Sequence, residues 1–252
     1  MIEEVERIMQ RIILRAVLVG LVAGLIAGVY HNIVTVPVIE RAIVIEEERS
    51  AAALPAGAQP DDEPPLVSLG MQRVGMAIGT GIIGAVFGLV FAAAYGLLRL
   101  ALPESRPAAM AITAGLLGFW AISFLVSVKY PFVPPGVGAE ETLLSRQGFH
   151  LLFYALSALG VAGLILALYE IKGSIGSEAT RQRLYALAGL GYVVFLLLIF
   201  WLVPGNPDEV PVPADLLLEF NNVSLIGHLL VWGLMAVGFA YLLRKDQLSG
   251  QE

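Results

Sequence analysis

The sequence predicts an all-α, polytopic membrane bundle of six transmembrane helices with both termini on the cytoplasmic side. Three observations predict it. Apolar residues make up 58% of the 252 positions and charged ones only 14%, against about 25% charged in an ordinary soluble domain. Six apolar stretches stand out, five of them without any Asp, Glu, Lys or Arg and the first with Arg15 alone near its start. Basic residues concentrate on alternate connections, as membrane insertion favours.

The spans fall at about 12–30, 74–98, 108–128, 149–169, 184–203 and 223–243, each long enough at about 1.5 Å per residue to cross roughly 30 Å of hydrocarbon. Arg7 and Arg11 precede the first and Arg15 sits in its opening turn, like a signal peptide. Its apolar run is longer than a signal sequence needs, however, and it leads into Tyr30-His31-Asn32 without a small-x-small cleavage pattern. It therefore reads as an uncleaved helix that His31 closes. The whole chain, 1–252, reads as a single integral membrane domain.

Between the first two spans, residues from Thr35 to Leu54 either continue the helix or lie at the interface. The strip Pro55 to Pro65, within a flexible acidic outer loop at about 50–70, has a disordered composition. The next outer connection, Tyr130-Pro131-Phe132-Val133-Pro134-Pro135, is stiffened by its prolines, as is Pro204 to Pro213. Pro213 is placed to start a short interfacial helix, Ala214 to Phe220.

Ten of the 15 Lys and Arg lie on the side of the N-terminus, which puts both ends in the cytoplasm. The acidic residues run the other way, with 13 of the 21 on the outer loops. An acidic rim raises the local cation concentration.

Glycines at four-residue spacing, Gly20-Gly24-Gly28 in the first span and Gly75-Gly79 and Gly84-Gly88 in the second, read as packing seams where backbones approach closely. Trp120, Trp201 and Trp232 read as interface anchors. Cysteine is absent, which removes disulfides and thiolate chemistry. No mid-membrane carboxylate, nucleotide-binding loop or hydrolase motif is present, so the chain reads as no enzyme, and nothing in it points to nucleic acid.

All three histidines, His31, His150 and His228, fall at the outer ends of spans. Imidazole is the commonest side-chain ligand of divalent transition metals, and carboxylate or amide oxygens complete a labile shell. Candidate partners are Asn32, Glu40, Glu140, Glu141, Asn221 and Asn222. No helical His-x-x-x-His pair exists, so such ligands must meet through tertiary packing.

The stretches His31 to Ile39, Lys129 to Arg146 and Pro211 to Trp232 together resemble the CbtA family of predicted cobalt transporter subunits. In the family's proline-rich outer loop, Tyr130, Pro131, Pro134, Pro135, Gly136, Val137 and Arg146 fit, whereas Val133 stands where asparagine is expected. The Ala-Glu-x-Tyr-Glu run after the first span is also missing, with Glu46, Glu47 and Glu48 a loose substitute. The resemblance implies cobalt uptake for cobalamin biosynthesis in a prokaryotic plasma membrane. It also implies a small single-span, histidine-bearing partner, and cobalt as cargo with no tightly bound cofactor. The alternative from another class is a non-transporting scaffold or accessory subunit of a larger complex.

Overall fold

The computed structural model describes residues 2–53, 68–135, 142–174, 177–206, 208, 210 and 212–249. Among them every regular element is helical: α1 (Ile2–Tyr30), α2 (Val36–Ala53), α3 (Leu69–Ala101), α4 (Pro107–Gly118), α5 (Leu125–Lys129), α6 (Leu143–Ser174), α7 (Glu178–Leu202) and α8 (Ala214–Ser249). π turns join α1 to α2 (His31–Thr35) and α4 to α5 (Phe119–Phe124), so six continuous helical rods are long and apolar enough to cross a membrane. The expected strip Pro55 to Pro65, and Glu140 and Glu141, lie outside the described residues.

Two sequence expectations are corrected here. His31 does not close the first helix, which runs on through Thr35 to Ala53. Pro37 supplies the physical reason. Its nitrogen has no hydrogen for the carbonyl of Ile33 and its ring presses on that carbonyl, so the helix widens into the π turn just before it rather than ending. Likewise Ala214 to Phe220 is no separate interfacial helix but the opening of the 36-residue α8. Pro213 still sets its start, accepting the first main-chain bond from Leu217 N at 3.0 Å.

Other boundaries follow local chemistry. Ser68 caps α3, its side chain accepting from Met71 N, and Pro107 occupies the first turn of α4. Pro131 and Pro204 follow the ends of α5 and α7.

The α1–α3 seam is built from the absence of side chains. A Cβ on Gly20 would meet the main chain of Gly84, one on Gly24 the main chain of Thr80, and one on Gly88 the Ala16 carbonyl oxygen at 2.5 Å. Gly75 and Gly79 share the spacing but face open space, so the seam uses only the second glycine pair of α3. Around it α4 and α8 close the core, with Phe91, Met110, Trp232, Met235 and Phe239 almost wholly buried. α7 is peripheral. It packs along α6, where Gly160 receives the Phe195 ring, and turns Leu190, Leu197 and Trp201 outward.

Candidate functional site

The ends of these rods that carry the histidines meet around the loop after α5. Its Tyr130 ring stacks on the His150 ring at 5.2 Å and 19°. Two residues on, the Phe132 ring lies 5.0 Å from the His228 ring. His228 stands on α8 within electrostatic reach of both His31 and His150. His31 lies against Gly227, where an added Cβ would strike its Cε1 and Nε2. The loop therefore joins His150 to His228, and Gly227, next to His228 on α8, brings His31 to the same end of the bundle.

Each ring is held differently. His31 Nδ1 lies 2.8 Å from Thr35 Oγ1, across the π turn. His228 Nδ1 lies 2.9 Å from Ser123 Oγ, in the second π turn, and the same oxygen accepts the Trp232 indole N–H at 2.9 Å. Phe87 stacks on Trp232 at 5.1 Å and reaches His228 at 5.7 Å, so two aromatic rings, Phe87 and Phe132, neighbour that imidazole. Trp232 is thus a correction to the interface-anchor reading: with its only donor satisfied by Ser123, it is buried to 1% exposure. Trp201 at 80% exposure fits that reading, and Trp120 donates to Tyr192 Oη at 2.9 Å.

The amide candidates are placed as follows. Asn32 Nδ2 donates to the carbonyls of Gly28 at 2.9 Å and Arg73 at 3.1 Å, tying α1 to α3. Its Oδ1 is shut from solvent without a donor among the described residues. Asn221 Oδ1 accepts from Phe132 N at 3.0 Å and so fixes the loop beside His228, whereas Asn222 is exposed on the other side of the same turn. Glu40 pairs with Arg73 at 3.3 Å.

His150 opens onto a cavity of about 710 Å³, lined also by Tyr130, Phe132, Arg146, Gln147 and Asn206. Its wall carries an ion pair of low exposure, Arg146 Nε to Asp208 at 3.1 Å, and Thr142 Oγ1 donates to the same carboxylate at 2.8 Å. Tyr130 Oη donates to the Pro204 carbonyl at 2.5 Å, and burial raises its phenol above the ordinary value, so it stays a donor at neutral pH. Phe132 touches both the cavity and His228, which makes it the partition between them.

Among the described residues no three His, Asp or Glu side chains form a group able to hold one metal ion. The imidazoles are neighbours at one end of the bundle, not the walls of one cage.

Sequence reasoning missed Ser123, Thr35, Phe132 and Gly227 as parts of this end. Thr35 and Gly227 are ordinary helix residues to any local pattern. Ser123, a lone hydroxyl inside the apolar run FWAISF, carried the best available signal, since hydroxyls in such runs tend to bond across helices.

A family model for the probable cobalt transporter subunit CbtA matches residues 9–244. The chain belongs to the CbtA family. No curated protein and no solved structure matches it. Family membership covers every element of the histidine end, from His31 in the first rod to His228 in the last. It makes this a multi-pass membrane protein of the transporter-subunit class, with lipid against its outward apolar faces.

Proposed function

We propose that this CbtA-family chain is the conduit through which cobalt enters a prokaryotic cell across the plasma membrane, supplying cobalamin biosynthesis. The histidine end faces outward and both termini face the cytoplasm. The observation that carries the reading is the gathering of all three imidazoles at one end of the bundle, His150 and His228 against the loop that holds Tyr130 and Phe132 and His31 against Gly227 beside His228.

In this reading the outer acidic residues, Glu140 and Glu141 among them, concentrate hydrated cations. The cavity at His150 admits the ion with much of its water, and His150 is the first nitrogen it meets. Past Phe132 the ion exchanges further water for His228 and His31, with Asn32 and Asn221 as neighbouring amide-oxygen donors, while Asn222 faces away. Asn32 Oδ1 supports this role, because a buried acceptor without a donor among the described residues is an oxygen that can meet a cation. Neutral imidazole with amide and carboxylate oxygen suits a divalent ion of the cobalt kind. Separate stations also suit passage, since an ion that must leave again is served poorly by a closed shell.

No motor is needed in this chain. A divalent cation moving inward gains about 4.6 kcal/mol per 100 mV, taking about 2.3 per charge. A small single-span partner bearing histidines completes the assembly.

Uptake of radiolabelled cobalt, in cells expressing the chain with its partner, tests the reading. Replacing His31, His150 and His228 together by Ala is expected to reduce uptake to that of cells lacking the chain, with the protein still present in the membrane. Uptake equal to wild type overturns the reading and leaves a scaffold.

A further inference from the structure

Hydroxyls on helices ordinarily bond back to a carbonyl about one turn earlier. This chain does so at Thr80, to Met76 O at 2.7 Å, at Thr113, to Ala109 O at 3.0 Å, and at Ser127, to Phe124 O at 2.8 Å. Thr35 and Ser123 depart from the habit. Both are buried, at 4% and 0% exposure, both belong to a π turn, and each sets its oxygen against the Nδ1 of a histidine. A π turn bonds to the carbonyl five residues back, which removes the register that back-bonding uses, and such turns recur at functional sites. Two separate wide turns thus perform the same local task on His31 and His228.

The Trp232 indole is a donor only, so Ser123 Oγ accepts from it. The Ser123 proton then has, among the described residues, one remaining hydrogen-bond partner, His228 Nδ1. Donation to that nitrogen leaves the ring hydrogen on Nε2. We infer that Ser123 and Thr35 are positioning residues of the cobalt route, seating His228 and His31 through Nδ1 so that Nε2 is the nitrogen presented to the ion.

This rests on the proposed function and adds what a hydroxyl contributes to it. A carbonyl partner accepts only, so it would hold one tautomer permanently. A hydroxyl both donates and accepts. When an ion takes Nε2, the proton there passes to water and another is taken up at Nδ1, so no net proton is released. Ser123 then accepts from Nδ1–H and turns its own proton to a carbonyl of its own turn, as Ser127 does now. The ring changes tautomer without changing place. Outer partners of this kind typically alter metal affinity by about 10- to 100-fold when removed.

With only three histidines in the chain, ring-nitrogen NMR of ¹⁵N-histidine-labelled protein in nanodiscs resolves each imidazole, assigned by single His→Ala variants. Metal-free wild type is expected to show His228 with hydrogen on Nε2 and a hydrogen-bonded, unprotonated Nδ1. Ser123→Ala should lose that signature and raise the half-saturating cobalt concentration for uptake about tenfold or more. Ser123→Thr should restore both. Met110→Ala opens the core on α4 without touching the Ser123–His228 pair and so should lower thermal stability while leaving the signature, which separates positioning from packing. If Ser123→Ala does not fold, Thr35→Val against Thr35→Ser gives the same reading on His31. Unchanged tautomer and unchanged half-saturation in Ser123→Ala, or in Thr35→Val, overturn the inference. The two failures are distinct: a triple histidine variant with normal uptake removes the function itself, whereas lost uptake in that variant beside a normal Ser123→Ala removes the positioning role alone.

Discussion

Gly84→Val should unseat α1 from α3 and leave little folded protein. At this position the two helices touch main chain to main chain, since a Cβ on Gly84 would meet the Gly20 carbonyl oxygen and sit 2.8 Å from the Gly24 Cα. Overpacking a core where side chains give way costs about 1–3 kcal/mol. Here backbone would have to move along two rods that carry the seam, so about 3 kcal/mol or more is expected. Gly79→Ala is the matched control: the same helix and the same four-residue spacing, but nothing within 4 Å of the new methyl. That change should be neutral or stabilising by up to about 1 kcal/mol, because alanine restricts the unfolded chain more than glycine does. Thermal unfolding in detergent, read by loss of the monodisperse species, checks both signs. A Gly84→Val protein as stable as Gly79→Ala would mean that α1 and α3 do not pack through this face.

The contrast between those two glycines shows what a sequence makes legible. The six spans could be read directly, because hydropathy over about 20 residues is a local quantity that lipid imposes on each helix separately. Four-residue glycine spacing is local too, but which glycines face a neighbour depends on how the rod is rotated. Gly84 and Gly88 entered the seam while Gly75 and Gly79 did not. At the histidine end, the common location of His31, His150 and His228 was legible from span ends. What holds them was not. His228 owes its seat to Ser123, 105 residues away, and Trp232 owes its burial to the same oxygen at a separation of 109. A tryptophan near a span end is an anchor by composition, and only the distant acceptor turns it inward. His31 was misread as a helix end because hydropathy fades there. Of the two readings open for Thr35 to Leu54, a continued helix or an interfacial stretch, the structure takes the continued helix, with a π turn just before Pro37.

Gly227→Ala should disable uptake while leaving the bundle assembled. The new methyl would strike the Cε1–Nε2 edge of His31, which is the edge the proposed route uses. The ring can yield only by leaving Thr35, its hydrogen-bond partner at 2.8 Å, or by pressing on Tyr30, whose ring lies 5.4 Å away and whose hydroxyl donates to Val223 O at 3.1 Å. Either response moves Nε2 by more than the tolerance of a metal bond, so cobalt uptake should fall at least tenfold, about 1.4 kcal/mol in the ion's affinity for this station. The strain itself should cost about 1–3 kcal/mol of stability. His31→Ala removes the obstacle, so adding it to Gly227→Ala should return part of that stability without returning uptake. Such a sub-additive pair is what direct contact produces. A cycle of thermal unfolding and uptake on the two single variants and the double variant measures both effects. Additive stability losses would show that His31 does not lie on Gly227, and full uptake in Gly227→Ala would show that the ion never needs that edge of the ring.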